Sequence, residues 1–317
     1  MVKVWRWLAD EPHQTVGVRA LQVALGSMLL YRVFTEAPFA AYFWGPNGLG
    51  SGSSQVILGP SIGGVVDTIF STESGTVGLI GVLGAGALGL ILGCWTRAST
   101  ALALIAFFLL EQRLPHLTDG GDNVTRLVLT YMLFALPARA SPAPGSLSVW
   151  LHNVAVLAIA LQVVVLYATS GFMKASGDKW HHGVALYYIS QVEWFSLPSF
   201  REIFKNPLIT TAATYVPMLY LLMFPVAIVS RLKLPWLLVG ILFHLGIAIF
   251  MGLVTFSAAM IGLALFLVSD SEYGWMKARV SMMEARLHRV ATRPRWRLPG
   301  TLSALRERIL ETQRRTL

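Results

Sequence analysis

Eight apolar runs, broken by short polar connections, decide what this chain can become. Val16 to Phe34, Gly75 to Trp95, Leu151 to Met173, Thr210 to Val229 and Leu234 to Gly252 are nearly free of charge and of bilayer-crossing length. Ala98 to Leu110, Val124 to Pro137 and Thr255 to Val268 are shorter and fit as crossings packed among neighbours. In hydrocarbon a backbone must satisfy its own polar groups, so runs of this kind predict helices. The expected fold is an all-α, polytopic transmembrane helix bundle of about eight spans. The glycines of GLIGVLGAGALGLILG, spaced by three and four, predict close helix contact. Pro217 and Pro225 predict kinks in the sixth run.

Composition agrees, with 55% hydrophobic and 13% charged residues, too apolar for a soluble domain of 317 residues. The net charge of +9 raises nucleic acid as a partner, yet 11 of the 25 Lys and Arg residues follow residue 276. That excess belongs to a tail, where attraction to anionic lipid headgroups is the ordinary explanation. No nucleic-acid partner is expected. The single cysteine, Cys94, excludes an internal disulfide or thiol pair. Lys3, Arg6, Arg97, Arg139, Arg231, Lys233 and the basic tail all fall on one side of an eight-span topology. By the positive-inside rule both termini are then cytoplasmic. Three regions result: an interfacial segment at 1–13, a transmembrane domain at 14–268, and a basic cytoplasmic tail at 269–317. Residues 35–74 are Gly- and Ser-rich without strong periodicity and read as a lid or surface loop. The aromatic and polar stretch from Gln191 to Pro207 reads as an interfacial or re-entrant segment.

Chemistry-bearing residues gather at the outer helix ends. Lys174 follows a long apolar run, where a lysine either serves as a base or only snorkels to the headgroups. The topology brings His116, Asp119, Asp122, Asn123 and Arg126 to the same face as Lys174, Trp180, His181 and His182. Such a set can supply a base (Lys174), proton-relaying or orienting groups (His116, Asp122) and an anion-holding Arg126. Asp119, Asn123, Trp180 and His181 would add substrate contacts. The plainer alternative is a solvated loop, with Gly120 and Gly121 turning the chain and Asp122 or Asn123 capping a helix. His244, an intramembrane imidazole, is either a structural hydrogen-bonding group or one that positions another residue. Arg19 and Arg126 are candidate buried counter-ions for Asp122 or Glu193. Adjacent His181 and His182 do not share a helical face, so no metal site is expected.

Four stretches carry a family resemblance: VGVRALQVALGSMLLYR with GPNGLG, RLPHLTDGGDNVTRLVLTYMLFALPA, LYATSGFMKASGDKWHHGVALYY, and LFHLGIAIFMGLVTFSAAMIGLALFL. Together they span most of residues 14–268, and the chain resembles the HTTM family of membrane proteins. That family includes the vitamin K-dependent gamma-carboxylases and the bacterial sporulation-delaying protein B group. The carboxylase likeness implies a non-cytoplasmic site where a lysine, falling on Lys174, deprotonates a reduced quinone and drives chemistry on a peptide. Met173 stands where the carboxylase has a second lysine, and one extra residue separates Lys174 from Trp180. The bacterial branch implies maturation of a secreted peptide toxin alongside small partner proteins, in the bacterial cytoplasmic membrane.

Overall fold

The computed structural model describes residues 2–50, 55–137, 140, 142–291 and 301–315. Contacts divide it into Met1–Asp270 and Ser271–Leu317, each considered by itself. All regular structure among the described residues is helical.

In the first unit, α1 (Val2–Ala9) precedes α2 (Thr15–Glu36), and a 3-10 turn leads to α3 (Ala40–Trp44) and α4 (Gln55–Phe70). The expected loop at 35–74 is therefore largely helical. Its glycines hid the helices from periodicity arguments, and Gly59, at φ 74°, breaks α4 just before Pro60. Next come α5 (Glu73–Leu92), α6 (Thr96–Arg113), α7 (Gly120–Met132) and α8 (Leu147–Ala175). Short helices α9 (Asp178–His181), α10 (Ala185–Ser190) and α11 (Pro198–Ile203) follow, of which α11 lies in the stretch from Gln191 to Pro207 together with a 3-10 turn at Glu193–Phe195. Finally, α12 (Pro207–Ala227), α13 (Lys233–Met251) and α14 (Val254–Leu267) complete the unit.

Each of the eight apolar runs thus overlaps one of these longer helices. By length and composition, five can cross a membrane: α2 continued to Trp44, α5, α8, α12 and α13. A sixth arises if α14 and the helix after it are taken as one span. Among the described residues these five or six meet that test, and the figure of about eight crossings is not confirmed by it: α6 carries Arg97, Glu111 and Arg113, and α7 and α14 are shorter.

Packing follows the small residues. A Cβ on Gly86 of α5 would come within 2.7 Å of the Ala103 nitrogen of α6, and one on Gly26 of α2 within 2.7 Å of the Ala87 carbonyl. Backbones approach that closely only where side chains are absent. Around these contacts the core is aliphatic and aromatic, with Leu21, Leu29, Leu90, Phe107 and Phe266 almost wholly buried.

A polar latch fastens the N-terminal segment. The Asn153 amide of α8 donates to the carbonyls of Trp7, Leu8 and Glu11, at 3.2, 3.0 and 2.8 Å, and its oxygen accepts from the His13 N–H at 2.9 Å. His152 Nδ1 accepts from the Leu136 N–H, which leaves Nε2 to donate to the His13 carbonyl at 2.7 Å. The Asp270 carboxylate then accepts from the N–H groups of Thr15 and Val16 and caps α2. Sequence reading assigned none of these roles. A clue was available, however: two polar residues opening an otherwise apolar run need partners.

The second unit holds α15, which begins at Asp270 and runs to Ala291, and α16 (Thr301–Arg314). Of the residues used for orientation, Arg139 lies outside the described residues, as do Arg293, Arg295 and Arg297 of the tail.

Candidate functional site

A cavity of about 900 Å³ opens among α8, α12, α13 and α14. Its walls are overwhelmingly apolar, including Leu166, Val216, Leu221, Leu242, Ile247, Phe256 and Met260. Four polar side chains also line it: Tyr167, Ser170 and Lys174 from α8, and His244 from α13. On a helix, positions three and four apart share a face, so Tyr167, Ser170 and Lys174 form one stripe. Between its ends the stripe spans about 10 Å at the helical rise.

Its two ends differ. Tyr167 and His244 are each 2% exposed and joined by a 2.9 Å bond between the phenol oxygen and Nε2. Phe224 stacks on Tyr167 with ring centroids 4.0 Å apart, while Tyr220 and Phe256 approach edge-on. Nδ1 of His244 is buried without a hydrogen-bond partner. Only Leu237, Gly240 and His244 are buried on α13, so the imidazole belongs to the inner stripe of an otherwise outward-facing helix. At the other end Lys174 is half-buried, with Nζ 5.2 Å from the Trp180 ring centroid. No carboxylate among the described residues pairs with it. Pro217 of α12 cannot donate to the Ala213 carbonyl one turn back, and both residues line the cavity.

The remaining expected site residues lie elsewhere. Arg32 forms the centre of a charged cluster, contacting Asp122 at 2.5 Å and Glu36 at 2.7 Å, with its guanidinium 5.1 Å from the Phe107 ring centroid. Asp119 caps α7 by accepting from the N–H groups of Gly121 and Asp122, and the Asp122 carboxylate returns a bond to the Asp119 N–H. Arg126 contacts buried Glu111 at 3.4 Å and donates to Asn123 at 2.9 Å. A smaller pocket of about 200 Å³ is lined by Arg32, Glu36 and Glu111.

Two pairings expected for arginine are corrected. Arg32, not Arg19 or Arg126, is the counter-ion of Asp122, while Glu193 faces Arg201 at 3.6 Å. Arg19 instead donates to the Leu90 carbonyl at 2.6 Å and to that of Ile91, satisfying the end of α5. Lys174 and Trp180 do meet, but His116 is exposed on a 3-10 turn, and of the stretch from Glu111 to Arg126 only Gly120 lines the large cavity. His181 lies outside the lining, and its carbonyl accepts from Tyr215 at 2.6 Å. Sequence reading missed Tyr167, Ser170 and Arg32. For Tyr167 and Ser170 the sign was present, since they precede Lys174 by seven and four residues on one helix. Among the described residues no group of three or more His, Cys, Asp or Glu side chains is gathered for a metal ion.

A multi-helix membrane protein with an apolar, lysine-ended cavity is the class these features define. No family model matches the chain, and no solved structure matches it. Two proteins of Bacillus subtilis strain 168 are similar to it. The uncharacterized protein YitO is 25% identical over 164 residues, covering 46% of this chain and 52% of YitO. Sporulation-delaying protein SdpB is 31% identical over 109 residues, covering 32% of this chain and 34% of SdpB. The chain therefore spans about half of one relative's length and about a third of the other's. The resemblance to the sporulation-delaying group has this partial likeness behind it.

Proposed function

We propose that this protein binds a long-chain, ring-hydroxylated lipid, a reduced quinone, in the cavity beside α8, and uses it in the maturation of an exported peptide. One observation carries the reading: a cavity of about 900 Å³, almost wholly apolar, that ends at a lysine without a carboxylate partner. Apolar walls suit a hydrocarbon tail, and a few fixed polar groups suit a ring oxygen. Lys174, in its amine form, would accept the proton of a ring hydroxyl docked against it, with Trp180 covering the ammonium that results. Tyr167 and His244 would orient the ring by hydrogen bonds from the cavity wall. Asp122 is already engaged by Arg32 and the Asp119 backbone, so this reading gives it a structural role and leaves proton exchange to Lys174. Exposed Asn123 and His181, with Arg126, are candidates for contacting the peptide. The proposed setting is the bacterial cytoplasmic membrane, both termini inside and the Lys174 end outside.

The likeness to SdpB favours a second reading, a non-catalytic membrane factor that escorts a peptide or a small partner protein. Titration of the purified protein in detergent with a menaquinol analogue separates the two. Saturable binding to the wild type, weakened in Lys174→Ala and in His244→Ala at matched thermal stability, is the expected result. Absence of binding to the wild type would sink the quinol reading and leave the escort.

A further inference from the structure

Helix α15 carries a sequence pattern of its own. Tyr273, Met276, Val280, Met283, Leu287 and Val290 recur at alternating spacings of three and four. This is the a and d repeat of a coiled coil, with Tyr273, Val280 and Leu287 at a and the others at d. In the structure Val280, Met283 and Leu287 are 56%, 65% and 64% exposed, so the seam's centre is uncovered. The flanking positions are charged in a specific order. Glu272 and Arg279 fall at g, Lys277 and Glu284 at e, and Ala278 and Ala285 at the outer f positions.

We infer that α15 is a dimerisation helix and that its partner is α15 of a second copy, in a parallel two-stranded coil. In a parallel pair each g residue faces the e residue of the partner's next heptad. Glu272 would then face Lys277 and Arg279 would face Glu284, and both pairs are attractive whichever copy supplies the acid. The seam is shorter than the about three to four heptads that sustain a coiled coil alone. Confinement of both copies to one bilayer supplies the missing association strength through effective concentration. An anionic lipid surface is the competing occupant; it would attract Lys277, Arg279, Arg286 and Arg289 but would repel Glu272 and Glu284.

Cysteine cross-linking of the full chain in membranes tests this. In a Cys94→Ser background, Val280→Cys, Met283→Cys and Leu287→Cys should form disulfide-linked dimers under mild oxidation, several-fold more than Ala278→Cys and Ala285→Cys. Adding Glu284→Arg should lower the yield at position 280, and adding Arg279→Glu as well should restore it. Equal yields at all five positions, or no dimer at 280, 283 and 287, would overturn the inference. Failure to cross-link combined with protection of these three cysteines from a water-soluble maleimide would assign the stripe to lipid instead.

Discussion

Asp122 is a buried carboxylate whose partner, Arg32, lies 90 positions away. Because Arg32 also holds Glu36, removing it strands two acids at once. Arg32→Ala should therefore destabilise the protein by about 3 kcal/mol or more, read as a lowered thermal midpoint in detergent. Arg126→Ala should cost less, because its guanidinium is one-third exposed and 3.4 Å from Glu111. Equal losses would mean that the cluster is not centred on Arg32. At the cavity, His244→Phe would leave the Tyr167 hydroxyl buried without its partner. A cost of about 1–3 kcal/mol should follow, and Tyr167→Phe in the same chain should recover part of it. These residues also show what a sequence discloses. His244 was legible as an intramembrane imidazole needing a neighbour. Which neighbour was not legible, because Tyr167 is 77 positions away and only the tertiary fold, with α12 packed against both α8 and α13, brings them together. His116 and Asp122, grouped with Lys174 by topology, are not among the residues lining the cavity at Lys174, for a related reason. Topology can place residues at one end of a bundle, but it does not tell which of them face the same opening.

At the scale of elements, hydropathy located the long helices well, since each is fixed by a local property of its own run. The region 35–74 escaped because glycine and serine weaken the apolar period while helices still form by packing. Glycine spacing in α5 was the more informative signal, and it makes a prediction. Gly86→Leu should separate α5 from α6, whereas Gly81→Leu, where an added Cβ meets nothing within 4 Å, should be tolerated. Their thermal midpoints should differ clearly, and equal behaviour would mean that the α5–α6 approach is not tight. The N-terminal latch predicts a second local effect. Asn153→Leu removes the side chain that holds three backbone carbonyls and one N–H. It should expose the Trp7 to Glu11 segment to limited proteolysis, with the remaining bundle intact.

Across the whole molecule, the lipid-facing helices enclose a cavity that the aliphatic core leaves unfilled. Ala213 lines it, so Ala213→Phe should fill part of the space at little cost to folding while abolishing binding of the menaquinol analogue. Retained binding would place the ligand elsewhere. A final consequence comes from α8 and the latch at its start. From Asn153 to Lys174 the helix advances 21 residues, about 31 Å, close to the hydrocarbon thickness of a bilayer of about 30 Å. In the proposed membrane placement the latch ties Asn153 to an amphipathic segment suited to one water boundary, and α8 would work as a measuring rod with a fixed zero. It would set the depth of Lys174 at the opposite boundary. Freeing the N-terminal segment would therefore do more than loosen a terminus, because it would let the rod slide and carry the lysine away from the plane where a lipid's polar ring resides.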